Sequence, residues 1–332
     1  MNNTIKILFL SVILITTEIL SQQVSLPYLR QVEIRSAVRF DPTREIYSYS
    51  YSVKNGATSS GEIDWFEIDV NRDSISSTAL DTVGLQFKNS RIENTYRRMY
   101  AEISNSVIPI GFPSLPQYGD GALTLRGTAM LMAKVIKQGE EIKGFIMSSK
   151  GLPGIRNFVA VPPFDPYVLY PRIEEVGDPD SLNEVIEKDR EAVKFRSSTI
   201  GPTAPPINFV APTWCDTLLS YTRQSVTLGW LKSTRDNDCD DDEQPSDGVS
   251  KNIEKRIEKA RRELVQGDSA KARKELEKLV KKVERMYKRS EDAKKKKHES
   301  EITMTSEAYA LLKYNAEYLI DRLPKKQKRG KE

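Results

Sequence analysis

Histidine is nearly absent from this chain of 332 residues, in which His298 is the only one. Imidazole is the usual base of Ser–His–Asp and Cys–His sites and a common zinc ligand, so the sequence argues against these site classes. No glycine-rich loop with phosphate-binding spacing follows a predicted strand, which argues against a nucleotide site of that kind. The sequence therefore predicts no catalytic residues, no metal ligands and no cofactor.

Long apolar runs are also scarce. The one candidate is the run of nine residues from Ile7 to Ile15, which follows Lys6 and precedes Thr16, Thr17 and Glu18. A helix needs about 20 apolar residues to cross a bilayer core, whereas a shorter run is typical of a signal peptide. We therefore expect a signal peptide over residues 1–21, with an N-terminal membrane anchor as the alternative. The mature chain is expected to be periplasmic, extracellular or at the cell surface, without a transmembrane segment.

Cysteine occurs only twice, as Cys215 and Cys239. In an exported chain an even pair favours a disulfide, which would stabilise the fold by about 3 kcal/mol if it acts through loop entropy. Two free thiols are the alternative. A metal site on the two cysteines is disfavoured because His298 lies far along the chain.

Charge is distributed unevenly along the chain. Residues 249–332 carry 26 Lys and Arg against 15 Asp and Glu, a net charge of +11. Residues 1–248 carry 25 against 32, a net charge of −7. We expect the two parts either to attract each other or to leave the basic part free for an acidic surface.

Residues 26–171 have the patterns typical of β-strands. The clearest strand is YSYSYSV at residues 47–53, where tyrosine alternates with serine. Asn55-Gly56 has turn chemistry, Ser59, Ser60 and Gly61 extend the loop, and residues 63–70 continue as a strand, so we expect a β-hairpin with a long loop over residues 47–70. Further strands are predicted at residues 32–40, 123–125, 130–136, 142–147 and 158–161. Short strands separated by turns favour an antiparallel, Ig-like β-sandwich domain.

Proline separates this domain from the rest of the chain. Residues 172–212 contain the motif GPTAPP at 201–206. Because proline fixes φ and disfavours helix before it, we expect a Pro-rich linker there, with one possible short helix over residues 181–193.

Residues 213–323 predict a small α-helical bundle, followed by a basic tail at 324–332. The last helix has Thr305 as its N-cap, Glu307 in its first turn and Pro324 after its end. Gly267 and Asp268 form a short connection, so the second and third helices are predicted to be an antiparallel hairpin. Residues 290–300 are expected to be a polar link. The last helix is expected to bury Ala308, Leu311, Leu312, Asn315, Leu319 and Leu323.

Two loops with aromatic or proline residues are candidates for a sugar or peptide platform, because aromatic faces bind apolar ligand faces. The alternative is that they close the ends of the predicted sandwich. The second loop is Gly-Leu-Pro-Gly at residues 151–154, and the first contains Phe112, Pro113, Leu115, Pro116 and Tyr118.

Acidic residues offer two further hypotheses. Glu62, Asp64 and Glu67 are candidates for a carboxylate pair that hydrolyses a glycosidic bond, and solvated strand faces are the alternative. The run DNDCDDDEQPSD at residues 236–247 invites a calcium site. Neither register tested places a glycine at the sixth position and a glutamate at the twelfth. We therefore predict a solvated loop, with weak calcium binding as the alternative.

Lysine-rich runs at residues 294–298 and 325–331 are suited to anionic polymers or lipid surfaces, with solvated tails as the alternative. Aromatic residues are not interleaved with them, so base stacking and a nucleic-acid partner are not supported.

On the last helix, Asn315 and Tyr318 are candidates for a polar site. The alternative is that they pack and hydrogen-bond within the bundle.

The C-terminal part resembles a known family through four successive motifs. In order they are TIGPTAPP, CDTLLSYTRQSVTLGWL, LVQGDSAKARKELEKLV and TSEAYALLKYNAEYLI, between Thr199 and the end. This part is similar to the FIMAH helical module of secreted bacterial proteins, which is related in style to the sugar-associated FIVAR repeats. The resemblance implies a small helical bundle without a defined activity, together with a carbohydrate or surface-attachment role.

The preceding part has a second resemblance, carried by IYSYSYSVKNGATSSGEID at residues 46–64 and GFIMSSKGLPGIRNF at 144–158. It resembles uncharacterised domains that precede this module in secreted bacterial proteins. That resemblance implies no chemistry.

Together these features predict a non-enzymatic exported protein that binds or organises an extracellular or cell-surface ligand, either a protein or a polysaccharide. The alternative is a carbohydrate-binding accessory protein or a carboxylate-based glycan hydrolase. A third possibility is a membrane- or polymer-binding role for the basic C-terminal end.

Overall fold

The structure, a computed structural model, is a mixed α and β fold with antiparallel strands. It describes residues 26–68, 105–107, 114–119, 122–127, 135–169, 179–206, 208–233, 247–296 and 302–324. The predicted signal peptide at residues 1–21 lies outside these ranges, as does the predicted basic tail after Pro324. Among the helices in these ranges, none combines the length and the apolar character that crossing a membrane requires.

The described strands and helices are numbered in chain order. The strands are β1 (Glu33–Asp41), β2 (Ile46–Lys54), β3 (Trp65–Ile68), β4 (Asn105–Val107), β5 (Ser114–Gly119), β6 (Ala122–Gly127), β7 (Glu141–Ser149), β8 (Leu152–Val161), β9 (Phe195–Thr203), β10 (Leu231–Ser233) and β11 (Ile302–Met304). The helices are α1 (Pro166–Leu169), α2 (Pro179–Ala192), α3 (Ala211–Thr227), α4 (Asp247–Val265), α5 (Ser269–Lys296) and α6 (Ser306–Arg322).

The first sheet has the strand order β1-β2-β7-β4. The alternating tyrosines predict a strand with one buried face, and β2 confirms this because Tyr47, Tyr49, Tyr51 and Val53 are buried. β2 pairs with β1 on one side and β7 on the other, which satisfies its backbone groups along both edges. The strand predicted at 142–147 is thereby confirmed as part of β7, and the one predicted at 32–40 is confirmed from Glu33 onward as part of β1.

The hairpin predicted over residues 47–70 is wrong, because β2 and β3 belong to different sheets. Between them lies Asn55, whose side chain is completely buried. Its Nδ2 donates hydrogen bonds to the carbonyl oxygens of Gly61 and Ile136 at 2.9 and 3.1 Å. Asn55 therefore stabilises a crossover between the two sheets, where the sequence predicted the loop of a hairpin.

The second sheet has the order β3-β8-β9, and β9 lies within the segment that the sequence assigned to a linker. β8 and β9 pair continuously, from Leu152 opposite Thr203 to Ala160 opposite Phe195. Pro202 is compatible with β9 because an edge strand does not need a ladder hydrogen bond on its outer side. The short helix predicted at residues 181–193 is confirmed as α2.

Side chains of the two sheets meet in the interior. The Tyr51 hydroxyl of β2 donates a hydrogen bond to the carbonyl oxygen of Ile200 in β9 at 2.9 Å. The ring of Phe66 in β3 meets that of Phe145 in β7 edge to face, with centroids 4.8 Å apart. The two sheets therefore share buried side chains and a buried hydrogen bond.

The helical predictions are largely confirmed in α3 to α6. All six residues of the predicted buried face of the last helix are buried. Asp268 accepts a hydrogen bond from the backbone N–H of Lys271 at 2.9 Å, which is the cap predicted before α5. Thr305 lies at the N-cap of α6 but makes no capping hydrogen bond through its side chain. The polar link predicted at 290–300 is shorter than expected, because α5 continues through helix-favouring residues to Lys296.

The helices pack directly on the sheets through α6. Glu307 in its first turn accepts a hydrogen bond from the backbone N–H of Ser36 in β1 at 2.6 Å. Further along, Asn315 Nδ2 donates to the carbonyl oxygen of Pro153 in β8 at 2.9 Å, and Trp214 Nε1 of α3 donates to that of Asn315 at 3.0 Å. Buried side chains from the sheets and from α3 to α6 form one continuous hydrophobic core.

Candidate ligand-binding surface

Five aromatic rings lie in succession from the first sheet, across α6, to α5. We call them the aromatic row: Phe40, Tyr47, Tyr314, Tyr309 and Tyr287. Successive ring centroids are 4.6, 5.4, 6.4 and 4.3 Å apart. Tyr287 and Tyr309 are stacked, and Tyr47 meets Tyr314 edge to face. The row thus continues across the boundary between sheet and helices.

The row is assembled by the pairing of strands and the packing of helices. Phe40 and Tyr47 lie directly opposite each other in the β1–β2 ladder, so their side chains leave the same face of the sheet. Tyr314 is held against that face because its hydroxyl donates to the carbonyl oxygen of Val38 at 3.2 Å. Tyr287 reaches Tyr309 because α5 packs along α6.

The middle of the row is buried and its ends are accessible. Tyr47 and Tyr314 are each 8% exposed, whereas Phe40 is 38% exposed and Tyr287 and Tyr309 are partly buried. Burial also raises the pKa of Tyr47 and Tyr314 above the ordinary value of 10.0. A ligand would therefore contact chiefly Phe40 at one end and the Tyr287–Tyr309 stack at the other.

Charged groups border the helical end of the row. Lys313 Nζ lies 2.8 Å from a carboxylate oxygen of Glu284 and 3.8 Å from one of Glu317. It also donates to the hydroxyl of Tyr309 at 3.1 Å and lies 5.6 Å from the ring centroid of Tyr314. This places one ammonium between two carboxylates beside an aromatic surface.

The pKa shifts follow from this crowding. Burial raises the pKa of Glu317, and attraction to Lys313 only partly offsets that effect. Burial alone would lower the pKa of Lys313, but its hydrogen bonds to Glu284 and Tyr309 outweigh burial and raise it. Lys313 is therefore charged at neutral pH, and its ammonium pairs with Glu284 and Tyr309 of the same chain.

The two segments predicted as loop platforms do not belong to this surface, and their described residues lie largely in strands. Leu115, Pro116 and Tyr118 belong to β5, which pairs with β6, so the loop prediction is wrong for these residues, while Phe112 and Pro113 lie outside the described ranges. Residues 151–154 are buried, and Leu152, Pro153 and Gly154 are the first residues of β8, so the loop prediction is wrong for these three as well. This agrees with a packing role for the second segment.

The polar pair proposed on the last helix is divided between two environments. Asn315 is fully buried and its Nδ2 donates to the carbonyl oxygens of Pro153 and Leu311, so it ties α6 to β8 as well as to its own helix. Tyr318 packs against Phe209 and Trp214, with the Arg322 guanidinium 3.4 Å from its ring centroid. The structure does not bring Asn315 and Tyr318 together as one polar site.

The predicted hydrolase carboxylates lie at and just before β3. Glu62, Asp64 and Glu67 are each partly buried, and burial raises the pKa of Asp64. None of them belongs to the aromatic row or its charged border. Among the described residues, no group of three His, Cys, Asp or Glu side chains is arranged to hold a metal ion.

Cys215 lies in α3 and is completely buried, and burial raises the pKa of its thiol to about 12. It has no disulfide partner within the described ranges, and Cys239 lies outside them, so the Cys215–Cys239 disulfide stays a prediction. The same applies to most of the acidic run at 236–247 and to the basic run at 325–331. Of the run at 294–298, residues 294–296 form the exposed end of α5.

Comparison with protein-family models, with curated proteins and with solved structures finds no match to this chain. The aromatic row therefore rests on the geometry described above. Sequence reasoning missed it because its five rings come from four elements. The one local signal was the alternation of tyrosines in β2, which identifies Tyr47 as buried but not its contact with Tyr314.

Proposed function

We propose that this chain is a non-enzymatic exported protein that binds a saccharide at the aromatic row. The observation that carries the proposal is the continuous contact of five rings between Phe40 and Tyr287, with exposed or partly exposed rings at both ends. Aromatic faces bind the apolar faces of sugar rings, while adjacent charged groups orient the hydroxyls. Glu284, Glu317 and Lys313 provide such groups at the helical end.

A binding role suits the charged border better than hydrolysis. A retaining or inverting glycosidase needs two carboxyl groups that face the scissile bond, one of them an accessible acid. Here Glu284 and Glu317 both lie within 4 Å of the same Lys313 ammonium. Lys313 therefore occupies the space between the carboxylates that the bond or the attacking water would need.

The proposal includes the finer architecture. The β part would be an Ig-like sandwich, supported by the Tyr51–Ile200 hydrogen bond and the Phe66–Phe145 contact between the sheets. The α3–α6 part would be a small helical bundle of the FIMAH type, supported by its four successive helices and their buried faces. Export follows from the signal peptide expected at residues 1–21.

A glycan array and polysaccharide pull-downs with the mature chain test the function. Phe40→Ala and Tyr287→Ala remove one ring from each end of the row. Tyr28→Ala is the matched control, because Tyr28 is 48% exposed and lies outside the row. We expect each row variant to weaken binding on the order of tenfold, which corresponds to the loss of one aromatic contact, while Tyr28→Ala binds as the parent does.

Two results would overturn this function. One is the absence of saccharide binding by the parent chain, and the other is equal weakening by Tyr28→Ala and the row variants. Release of reducing sugar from a bound polysaccharide, abolished by Glu317→Gln, would replace the binding role with hydrolysis. Thermal unfolding of each variant checks that the fold is retained.

A further inference from the structure

The hairpin of α4 and α5 carries positive charge well beyond what its own carboxylates neutralise. α5 alone contains 12 Lys and Arg against 5 Asp and Glu. Part of this charge lies on one surface, which we call the basic face. It consists of Arg256 and Lys259 on α4 and Lys278, Lys282, Arg285 and Arg289 on α5.

A single carboxylate, Glu275, lies within this face, and three of the cations of the face already pair with it. Its oxygens lie 2.8 Å from Lys278 Nζ, 3.2 Å from Lys259 Nζ and 3.3 Å from an Arg256 guanidinium nitrogen. Its side chain is only 7% exposed. One negative charge is thus shared by three positive charges, which leaves an excess of positive charge.

The other three cations of the face, Lys282, Arg285 and Arg289, pair with no carboxylate in the part of the chain that the structure describes. Within the described ranges, no acidic oxygen lies within 4 Å of Lys282, Arg285 or Arg289. Burial lowers the pKa of Lys282, and repulsion from Arg256 lowers it further, even though Arg256 shares the Glu275 carboxylate with two lysines. An added anion at this position would relieve that repulsion.

The α5 cations are arranged as a line. The steps of four, three and four residues between Lys278, Lys282, Arg285 and Arg289 keep these side chains on one side of the helix. At the helical rise per residue, the line extends for about 16 Å. A narrow row of that length fits an extended chain with repeated negative groups.

We propose that the basic face binds a linear acidic polysaccharide, whose carboxylate or sulfate groups pair with Lys282, Arg285 and Arg289. A bilayer surface fits less well, because adsorbed helices insert large apolar residues. On the two described helices the only exposed large apolar side chain is Val265, at the end of α4. Single-stranded nucleic acid is disfavoured because the aromatic residue of α5, Tyr287, stacks on Tyr309 instead of extending the basic face.

The test measures binding of the full mature chain to polygalacturonate and to dextran sulfate at low salt, with uncharged dextran alongside. Lys282→Gln, Arg285→Gln and Arg289→Gln are combined in one variant. The matched control combines Arg44→Gln, Lys54→Gln and Lys150→Gln, which change the net charge equally at exposed cations on and beside the sheets. Losing three ionic contacts is expected to weaken binding on the order of tenfold and to reduce its salt dependence, whereas the control variant binds as the parent does.

A gain of affinity provides the second readout. Glu275→Gln frees Arg256, Lys259 and Lys278 from their shared carboxylate, so we expect it to tighten binding of both acidic polymers. The proposal is overturned if neither acidic polymer binds, if the control weakens binding as much as the basic-face variant, or if Glu275→Gln weakens it. It is also overturned if vesicles of phosphatidylglycerol or a short DNA duplex bind more tightly than both polysaccharides. Because Phe40 and Tyr287 are unchanged in these variants, failure here leaves the aromatic row a separate question.

Discussion

Glu307 supplies the acceptor that the backbone of an edge strand lacks. Its Oε1 accepts hydrogen bonds from the backbone N–H and the hydroxyl of Ser36 at 2.6 and 3.3 Å, and its side chain is buried. Ser36 lies in β1, at the end of its sheet, where half of the backbone groups have no neighbouring strand. The first turn of α6 therefore closes the edge of the sheet at this residue.

Glu307→Ala is expected to lower the free energy of unfolding by about 2–3 kcal/mol, because it leaves a buried backbone donor without an acceptor. Glu307→Gln keeps an oxygen at the same place and should lose about 1 kcal/mol. Urea denaturation followed by circular dichroism measures both. Equal stability of Glu307→Ala and the parent would contradict the role of Glu307.

Cys215 leads to a second prediction at this scale. Alkylating reagents attack the thiolate, and burial raises the pKa of this thiol to about 12, so almost none is ionised near neutral pH. After reduction and removal of the reductant, we expect Cys215 to react with iodoacetamide very slowly in the folded chain and rapidly in urea. Mass spectrometry of the labelled peptides measures both rates. Fast labelling of the folded chain would show that α3 opens readily.

At the scale of single residues, the sequence was informative where a role depends on neighbours along the chain. The cap at Asp268 and the buried position of Leu311 follow from local spacing and were predicted. The hydrogen bond from Asn315 to the carbonyl oxygen of Pro153 joins residues that are distant in sequence, and no periodicity identifies it. The aromatic row was missed for the same reason.

At the scale of elements, α4 and α5 are joined by Glu275 as well as by their apolar faces. Its hydrogen bond with Lys278, and then the one with Lys259, lower the pKa of Glu275 from its ordinary value of 4.5, against the opposing effect of burial. A carboxyl whose pKa is lower in the folded state stabilises the fold above its unfolded pKa, and that contribution is lost as the pH falls through its folded pKa.

Glu275→Gln should therefore be less stable than the parent by about 1 kcal/mol near pH 7, a modest effect because the partner lysines are exposed. The difference should shrink as the pH falls below 4.5. Glu277→Gln is the matched control, since Glu277 is exposed on the same helix and should leave stability unchanged across the range. Urea denaturation of the parent and both variants at several pH values between acidic and neutral measures the stability difference. A difference independent of pH would contradict the ionic role of Glu275.

The elements also differ in how far the sequence predicts them. Helices α3 to α6 follow from apolar residues at helical spacing, which is a local property of the chain. β9 was not predicted because Pro202 and the surrounding prolines resemble a spacer, whereas pairing with β8 makes this segment an edge strand. The hairpin prediction was wrong because strand pairing is decided by distant partners, here β7 and β8, and not by Asn55-Gly56.

At the scale of the whole molecule, the two parts that the composition separates are joined by a shared interior. α6 packs against α3 and α5 in the shared core. On the sheet side, its Tyr314 donates a hydrogen bond to the backbone of β1, and its Asn315 donates one to the backbone of β8. Removing α6 would uncover the edge of β1 and the middle of the aromatic row. The proposed saccharide surface thus requires sheets and helices in one folded unit.

A single core predicts cooperative unfolding of the described sheets and helices. Variants that keep one tryptophan report on each part separately, because Trp65 lies in β3 and Trp214 in α3. We expect their fluorescence transitions in urea to have the same midpoint and slope.

Asn315→Ala is expected to weaken the contact between α6 and β8 and to lower both midpoints together, whereas Val185→Ala, at an exposed position on α2, should move neither. If Trp65 and Trp214 report separate transitions in the parent chain, the sheets and the helices are independent domains, and the aromatic row then depends on their docking.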